Sequence, residues 1–148
     1  MTSKLLSFLF GAAKPWGGYG FVALRLVVAA VWLNSDAPKL VALAAGHPNG
    51  LVRTLFGASM ALPLTYFFTL LEILGAVALI LGLLVRLASV WGVIEFVIIC
   101  TSLALEGNIG AIAGLNPLML TASLVLLLYG SPKLSLDGLI AKHMKISP

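Results

Sequence analysis

The sequence predicts an all-α membrane protein: an antiparallel bundle of four transmembrane helices, with an N-terminal interfacial helix and a short C-terminal amphipathic segment. Three observations lead there. Hydrophobic residues make up 61% of the 148-residue chain and charged residues only 9%, where a soluble domain carries about a quarter. Mean hydropathy is +1.12. Stretches close to the roughly 20 apolar residues that cross a hydrocarbon core recur four times, over about 18–38, 62–85, 87–105 and 110–129. At this length they leave room for a single membrane domain, 1–148.

The elements follow in chain order. Lys4 precedes a short apolar run, 5–10, that is below the usual length of a signal-peptide core; it reads as a helix in the interface with Leu5, Leu6, Leu9 and Phe10 dipped into lipid. The first span ends near a small-polar stretch and Pro38, and an outer loop over about 39–61 follows. Within that loop His47-Pro48-Asn49-Gly50 is a turn signal, and its apolar flanks can lie on the membrane or fold against the bundle. Arg86 alone separates spans two and three, which makes them a tight hairpin. The third turn is "EGNIGAIAGLNP", and Pro117 fits the first turn of span four.

The bases set an orientation. Lys4, Lys14, Arg86, Lys133, Lys142 and Lys145 fall on one side and Lys39 and Arg53 on the other. The positive-inside rule puts both termini in the cytoplasm of a cell that holds the protein in its inner or plasma membrane. The net charge of +4 is dispersed along the flanks of the spans, which suits lipid headgroups and not nucleic acid.

Polar residues inside the spans keep to one face each. Arg25, Trp32, Asp36 and Lys39 recur at intervals of 7, 4 and 3, and Glu72, Gly75, Leu79, Gly82 and Arg86 at 3, 4, 3 and 4. Glu95, Ser102 and Glu106 follow 7 and 4, and Asn116 and Ser123 are 7 apart. These intervals hold one side of a helix. A charge at a helix centre costs about 2.5–3.5 kcal/mol on insertion scales, so the polar faces are expected to turn inward. Counted at 1.5 Å per residue, Glu72 and Glu95 both lie roughly 13 Å deep, and Arg25 is expected at a similar level. Arg25, Glu72 and Glu95 are therefore the candidate buried polar network, either a proton-handling site or an ion pair that fixes helix register. Asp36, Lys39, Glu106 and Asn116 form the candidate outer cluster, a ligand pocket or a docking face for a partner. Gly75 and Gly82 read as packing notches that let helices approach.

Several chemistries have no residues to carry them. Neither His47 nor His143 lies in a span, so a bis-His haem has no ligands. No spacing suits a metal, no glycine loop suits a phosphate, and Cys100 has no second cysteine to pair with. No catalytic residue can be assigned, and no tightly bound cofactor is expected.

Three segments resemble a known family. "LRLVVAAVWLNSDAPKL", "LEILGAVALILGLLVRLASVWG" and "YGSPKLSLDGLI" are similar to the first helix, the second helix and turn, and the closing segment of the DoxX/DoxD family of small membrane proteins. The resemblance covers about Arg25 to Ile140, with Arg25, Lys39, Glu72 and Arg86 on the family's polar pattern. It implies a four-helix membrane bundle associated with electron transfer, since DoxD-type members are a subunit of thiosulfate:quinone oxidoreductase. The expected function is then an integral subunit of a membrane oxidoreductase complex working at quinone level, with quinone and lipid as the candidate bound molecules and other membrane or redox subunits as partners. A purely structural or assembly subunit is the alternative, and a small proton-coupled transporter a third.

Overall fold

The computed structural model describes residues 18–108, 110, 114–130 and 134–143. Among them the elements are α1 (Gly18–Ala44), α2 (Gly50–Phe56), α3 (Ala58–Leu81), α4 (Val85–Leu105), α5 (Leu115–Tyr129) and α6 (Leu136–His143), with no strand. Helices α1, α3 and α4 are each long and apolar enough to cross a membrane. Helix α5, at 15 residues, is shorter. The span expected over 110–129 is thus a described helix only from Leu115 onward. The expected interfacial helix at the N-terminus lies outside the described residues.

Helix α1 departs from its expected end. It passes through Pro38 and continues to Ala44, so Lys39 is helical and not part of a loop. A proline inside a helix removes one N–H, here the donor for the Asn34 carbonyl, and leaves the rest of the ladder intact. Packing holds the helix beyond that gap, because Asp36 and Leu43, on either side of it, are both buried. The turn signal at 47–50 is used as a helix start. Asn49 caps α2, its Oδ1 accepting from the backbone N–H of Leu51 at 2.9 Å and of Val52 at 3.4 Å. The Asn49 N–H in turn donates to Thr65 Oγ1 on α3 at 3.1 Å. Tyr66 on α3 donates to the carbonyl of Leu43 at 2.9 Å, so the last turn of α1 and the cap of α2 are both tied to α3.

The widest seams are α1 on α3 and α4 on α5, with α2 laid on α3. Contact between α3 and α4, and between α1 and α5, is narrower. Trp32 sits at the meeting of these seams. A Cβ on Gly75 of α3 would lie 2.9 Å from Trp32 Cζ3, and one on Gly92 of α4 would lie 3.0 Å from Trp32 Cζ2 and 2.6 Å from Ser123 Oγ of α5. The indole therefore lies in a slot that only glycine on two helices leaves open. Around it pack Val28, Ala76, Leu79, Phe96, Met119 and Leu126. The outward faces are apolar, with Leu70, Leu74 and Leu81 on α3 and Leu87, Ile94 and Val97 on α4 all exposed, as a multi-pass membrane protein requires.

One end of the bundle is closed by α6. Gly82 ends α3 in the left-handed conformation (φ 65), its N–H reaching the carbonyls of Ala78 and Leu79. Leu84, which precedes α4, is also left-handed (φ 50), a conformation that costs a non-glycine residue of order 1–3 kcal/mol. Asp137 of α6 holds it there. The carboxylate accepts from Leu84 N–H at 2.7 Å and Val85 N–H at 3.0 Å, and the Asp137 N–H donates to the Gly82 carbonyl at 3.0 Å. Burial pushes the Asp137 carboxyl above its usual range, while those two N–H groups, Arg25 and Arg86 pull the other way.

Two substitutions test these contacts. Gly75→Val should lower the midpoint of thermal unfolding in detergent by an overpacking cost of about 1–3 kcal/mol, whereas Gly20→Val, with nothing within 4 Å of its Cβ position, should leave it unchanged. Asp137→Ala should remove about 1–2 kcal/mol of capping, visible as faster hydrogen exchange at the amides of Leu84 and Val85 and not at those of Leu51 and Val52.

Candidate functional site

Helices α1 and α3 set the site by their register. Trp32 faces Gly75, and the Arg25 guanidinium lies against Gly82. Seven residues separate the members on each helix, so the two helices run in opposite directions at equal rise. Three residues beyond Gly75 is Glu72, and three residues beyond Trp32 is Ser35. Glu72 therefore comes level with the turn that carries Asp36 and Lys39. Lys39 Nζ donates to Asp36 Oδ1 at 3.0 Å and to Glu72 Oε2, an ion pair on each side. Glu95 of α4 adjoins Glu72 and Trp32. Asp36 is 1% exposed and Glu72 5%, so three carboxyl groups and one ammonium share a site largely withdrawn from solvent.

This grouping differs from the expected network. Arg25 lies at the α6 end, where its guanidinium donates to the Leu134 carbonyl and faces Asp137. Ten residues of α3 separate its level, at Gly82, from Glu72, about 15 Å along the axis. Helix α1 runs past Pro38 to Ala44 and α3 starts at Ala58 and not at 62, so Glu72 comes level with Asp36 and Lys39 and not with Arg25. The expected outer cluster divides as well. Asp36 and Lys39 join Glu72 and Glu95, whereas Glu106 is exposed beyond the end of α4, three turns past Glu95. Asn116 is half-buried in the first turn of α5. Gly75 and Gly82 both lie in close approaches, the first against Trp32 and the second against Ser135, whose Cα would be 2.8 Å from an added Cβ.

Three contributors were not singled out from sequence. Gly92 completes the Trp32 slot; its signal was its place on the buried stripe with Ala88, Ser89 and Phe96. Asp137 caps α4 from the closing segment, which was read as amphipathic and as similar to the family's last segment but with no role for the carboxylate. Trp91 walls a cavity above the charges, its ring 5.5 Å from that of Phe68.

That cavity, of about 150 Å³, lies between α1, α2, α3 and α4. Lys39, Glu72 and Glu95 form its polar floor, and its walls are apolar, with Val52, Phe56, Phe68 and Trp91 among them. A void of this size takes one aromatic ring. Trp91 Nε1 and Glu95 Oε2 are buried there without a hydrogen-bond partner among the described residues. An apolar groove of about 450 Å³ between α3 and α4 meets the cavity at Trp91 and runs along the outside of the bundle past Leu74 and Leu87. Among the described residues no group of three or more His, Cys, Asp or Glu side chains is placed to hold a metal ion.

The family model described as "TQO small subunit DoxD" matches residues 51–147, more than half of the chain. The chain belongs to the DoxD family. The match takes in α2 to α6, and with them Glu72, Glu95, Trp91 and Asp137. Helix α1, which brings Asp36 and Lys39 to the DoxD-matched helices, lies before it. No curated protein and no solved structure matches the chain.

The register has a direct test. A double-mutant cycle between Lys39→Met and Glu72→Gln should show a coupling of about 1–3 kcal/mol in thermal unfolding, and the cycle between Arg25→Met and Glu72→Gln should be additive within about 0.5 kcal/mol.

Proposed function

We propose that this chain is the membrane subunit of a quinone-linked oxidoreductase, and that the cavity over Lys39, Glu72 and Glu95 receives the quinone headgroup. One observation carries the reading: in a DoxD-family chain, a ring-sized apolar cavity has an ammonium and two carboxyl groups for its floor. A quinone in such a place would accept two electrons from a redox partner and two protons. The residues supply what that chemistry asks of a binding site. Lys39 can turn a donor toward a carbonyl oxygen, since its three N–H groups serve Asp36 and Glu72 with one to spare. Trp91 offers a face for stacking and an indole N–H for a second carbonyl. Glu72 and Glu95 adjoin the same floor and can give or take protons at carboxyl oxygens. The groove at Trp91 gives an isoprenoid tail an apolar path.

The same reading extends the architecture. Helix α5 is proposed to serve as a fourth span antiparallel to α4, the helix it packs on most widely. The end that carries Arg86 and Lys142 is proposed to face the cytoplasm, and the end that carries Arg53 the opposite side. Other subunits of the complex would supply the electron donor.

Binding decides the proposal. Purified protein in nanodiscs, titrated with a short-chain benzoquinone or naphthoquinone and followed by tryptophan quenching, should saturate. Lys39→Met should weaken that binding about tenfold or more, the loss of one hydrogen bond from a charged donor, and Trp91→Phe should weaken it several-fold, with thermal midpoints recorded beside each. Saturable binding that ignores both substitutions would place the headgroup elsewhere. No binding, together with lower abundance of the assembled complex in the Lys39→Met cells, would support the assembly role instead.

A further inference from the structure

A second cavity adjoins the first. It has a volume of about 220 Å³ and is lined by Pro38, Lys39, Ala42, His47, Pro48, Asn49 and Thr65. Three of these, Lys39, Asn49 and Thr65, also line the cavity over the carboxyl groups. The two spaces thus meet at a polar neck made by an ammonium, an amide and a hydroxyl. At its other end lies His47, exposed in the turn that joins α1 to α2. Its far wall is the last turn of α1, which exists because the helix runs on past Pro38.

We infer that this second cavity is a hydrated inlet, by which water and protons pass between the bundle end at His47 and the buried carboxyl groups of Glu72 and Glu95. Three features carry it. The space is large enough for several waters, each of which occupies about 30 Å³ in the liquid. Its walls supply the polar partners that a buried water needs, from Lys39, His47, Asn49 and Thr65. Glu95 Oε2, at the inner side, is a buried acceptor without a protein partner among the described residues, and such an acceptor is ordinarily met by water. The charged and titratable groups along the route are His47 in the turn, Asp36 and Lys39 on α1, Glu72 on α3 and Glu95 on α4. A hydronium arriving at the neck gives its proton to a carboxylate oxygen and leaves as water. Lys39 stands at the neck and bonds to Glu72, so movement of its side chain opens or narrows the passage. The site then has two unlike approaches, an apolar one at Trp91 and an aqueous one at His47. The inlet goes beyond the quinone reading and stands or falls independently of what occupies the inner cavity.

Silver ion tests it, because it is close to water in size, reacts with thiols and travels only where water does. In a Cys100→Ser background, Thr69→Cys places a thiol in the inner cavity that is not part of the inlet wall. In nanodiscs that thiol should react with silver ion, and Ala42→Trp in the same chain, which fills the inlet, should slow the reaction at least tenfold. His47→Trp is a second plug at the mouth, for use if Ala42→Trp alters the melting profile. Ala78→Cys, on the apolar groove, should stay unreactive throughout. A Thr69→Cys thiol that silver ion does not reach, or reaches as fast with either plug in place, would overturn the inlet.

Discussion

Everything in this bundle is set by where one indole can go. Trp32 is too large to share a helix interface with ordinary side chains, and it is 1% exposed. It is accommodated because Gly75 and Gly92 withdraw from it on two helices. That seating fixes how far α1 is slid along α3, and a slide of one helical turn is about 5.4 Å. Such a slide would carry Lys39 out of reach of Glu72. The polar site is thus a consequence of an apolar fit. In a membrane, where burying apolar surface gives little drive for helices to associate, close packing of this kind is what discriminates one register from another.

The charges then do what a low-dielectric surrounding forces on them. Asp36, Glu72 and Glu95 lie in a site largely withdrawn from solvent, and Lys39 is the cation that α1 brings to their level. A grouping with more carboxyls than ammonium is a poor choice for stability alone, since an apolar replacement of a buried pair is often neutral or better. Its presence beside a ring-sized cavity is what turns attention to chemistry. At the other end Arg25 and Arg86 flank Asp137, and there the charges close a turn. Some three helical turns of α3 lie between the two sets of buried charge.

Sequence reading reached an all-helical membrane protein and the inward turn of Arg25, Asp36 and Glu72, because apolar length and a period near 3.6 depend only on neighbours along the chain. It also marked Gly75 and Gly82 by their spacing. It paired Arg25 with Glu72 because register between helices depends on side chains that meet across space, and a depth count needs the true ends of each helix. Pro38 looked like an end and is not one. Asn49 was read as part of a turn and is a helix cap; its further bond, from its own N–H to Thr65 sixteen residues on, depends on a meeting across space. Gly92 was passed over because its place on the stripe of Ala88, Ser89 and Phe96 gains meaning only from Trp32, sixty positions earlier.

The carboxylate that caps α4 comes from a residue more than fifty positions further along. In synthesis order, the α3–α4 hairpin must therefore enter the bilayer with its turn unfinished, with Leu84 in a costly conformation or not yet in it. Only when α6 has formed can the turn be locked. The turn between α3 and α4 is thus completed by a later part of the chain than the two helices it joins.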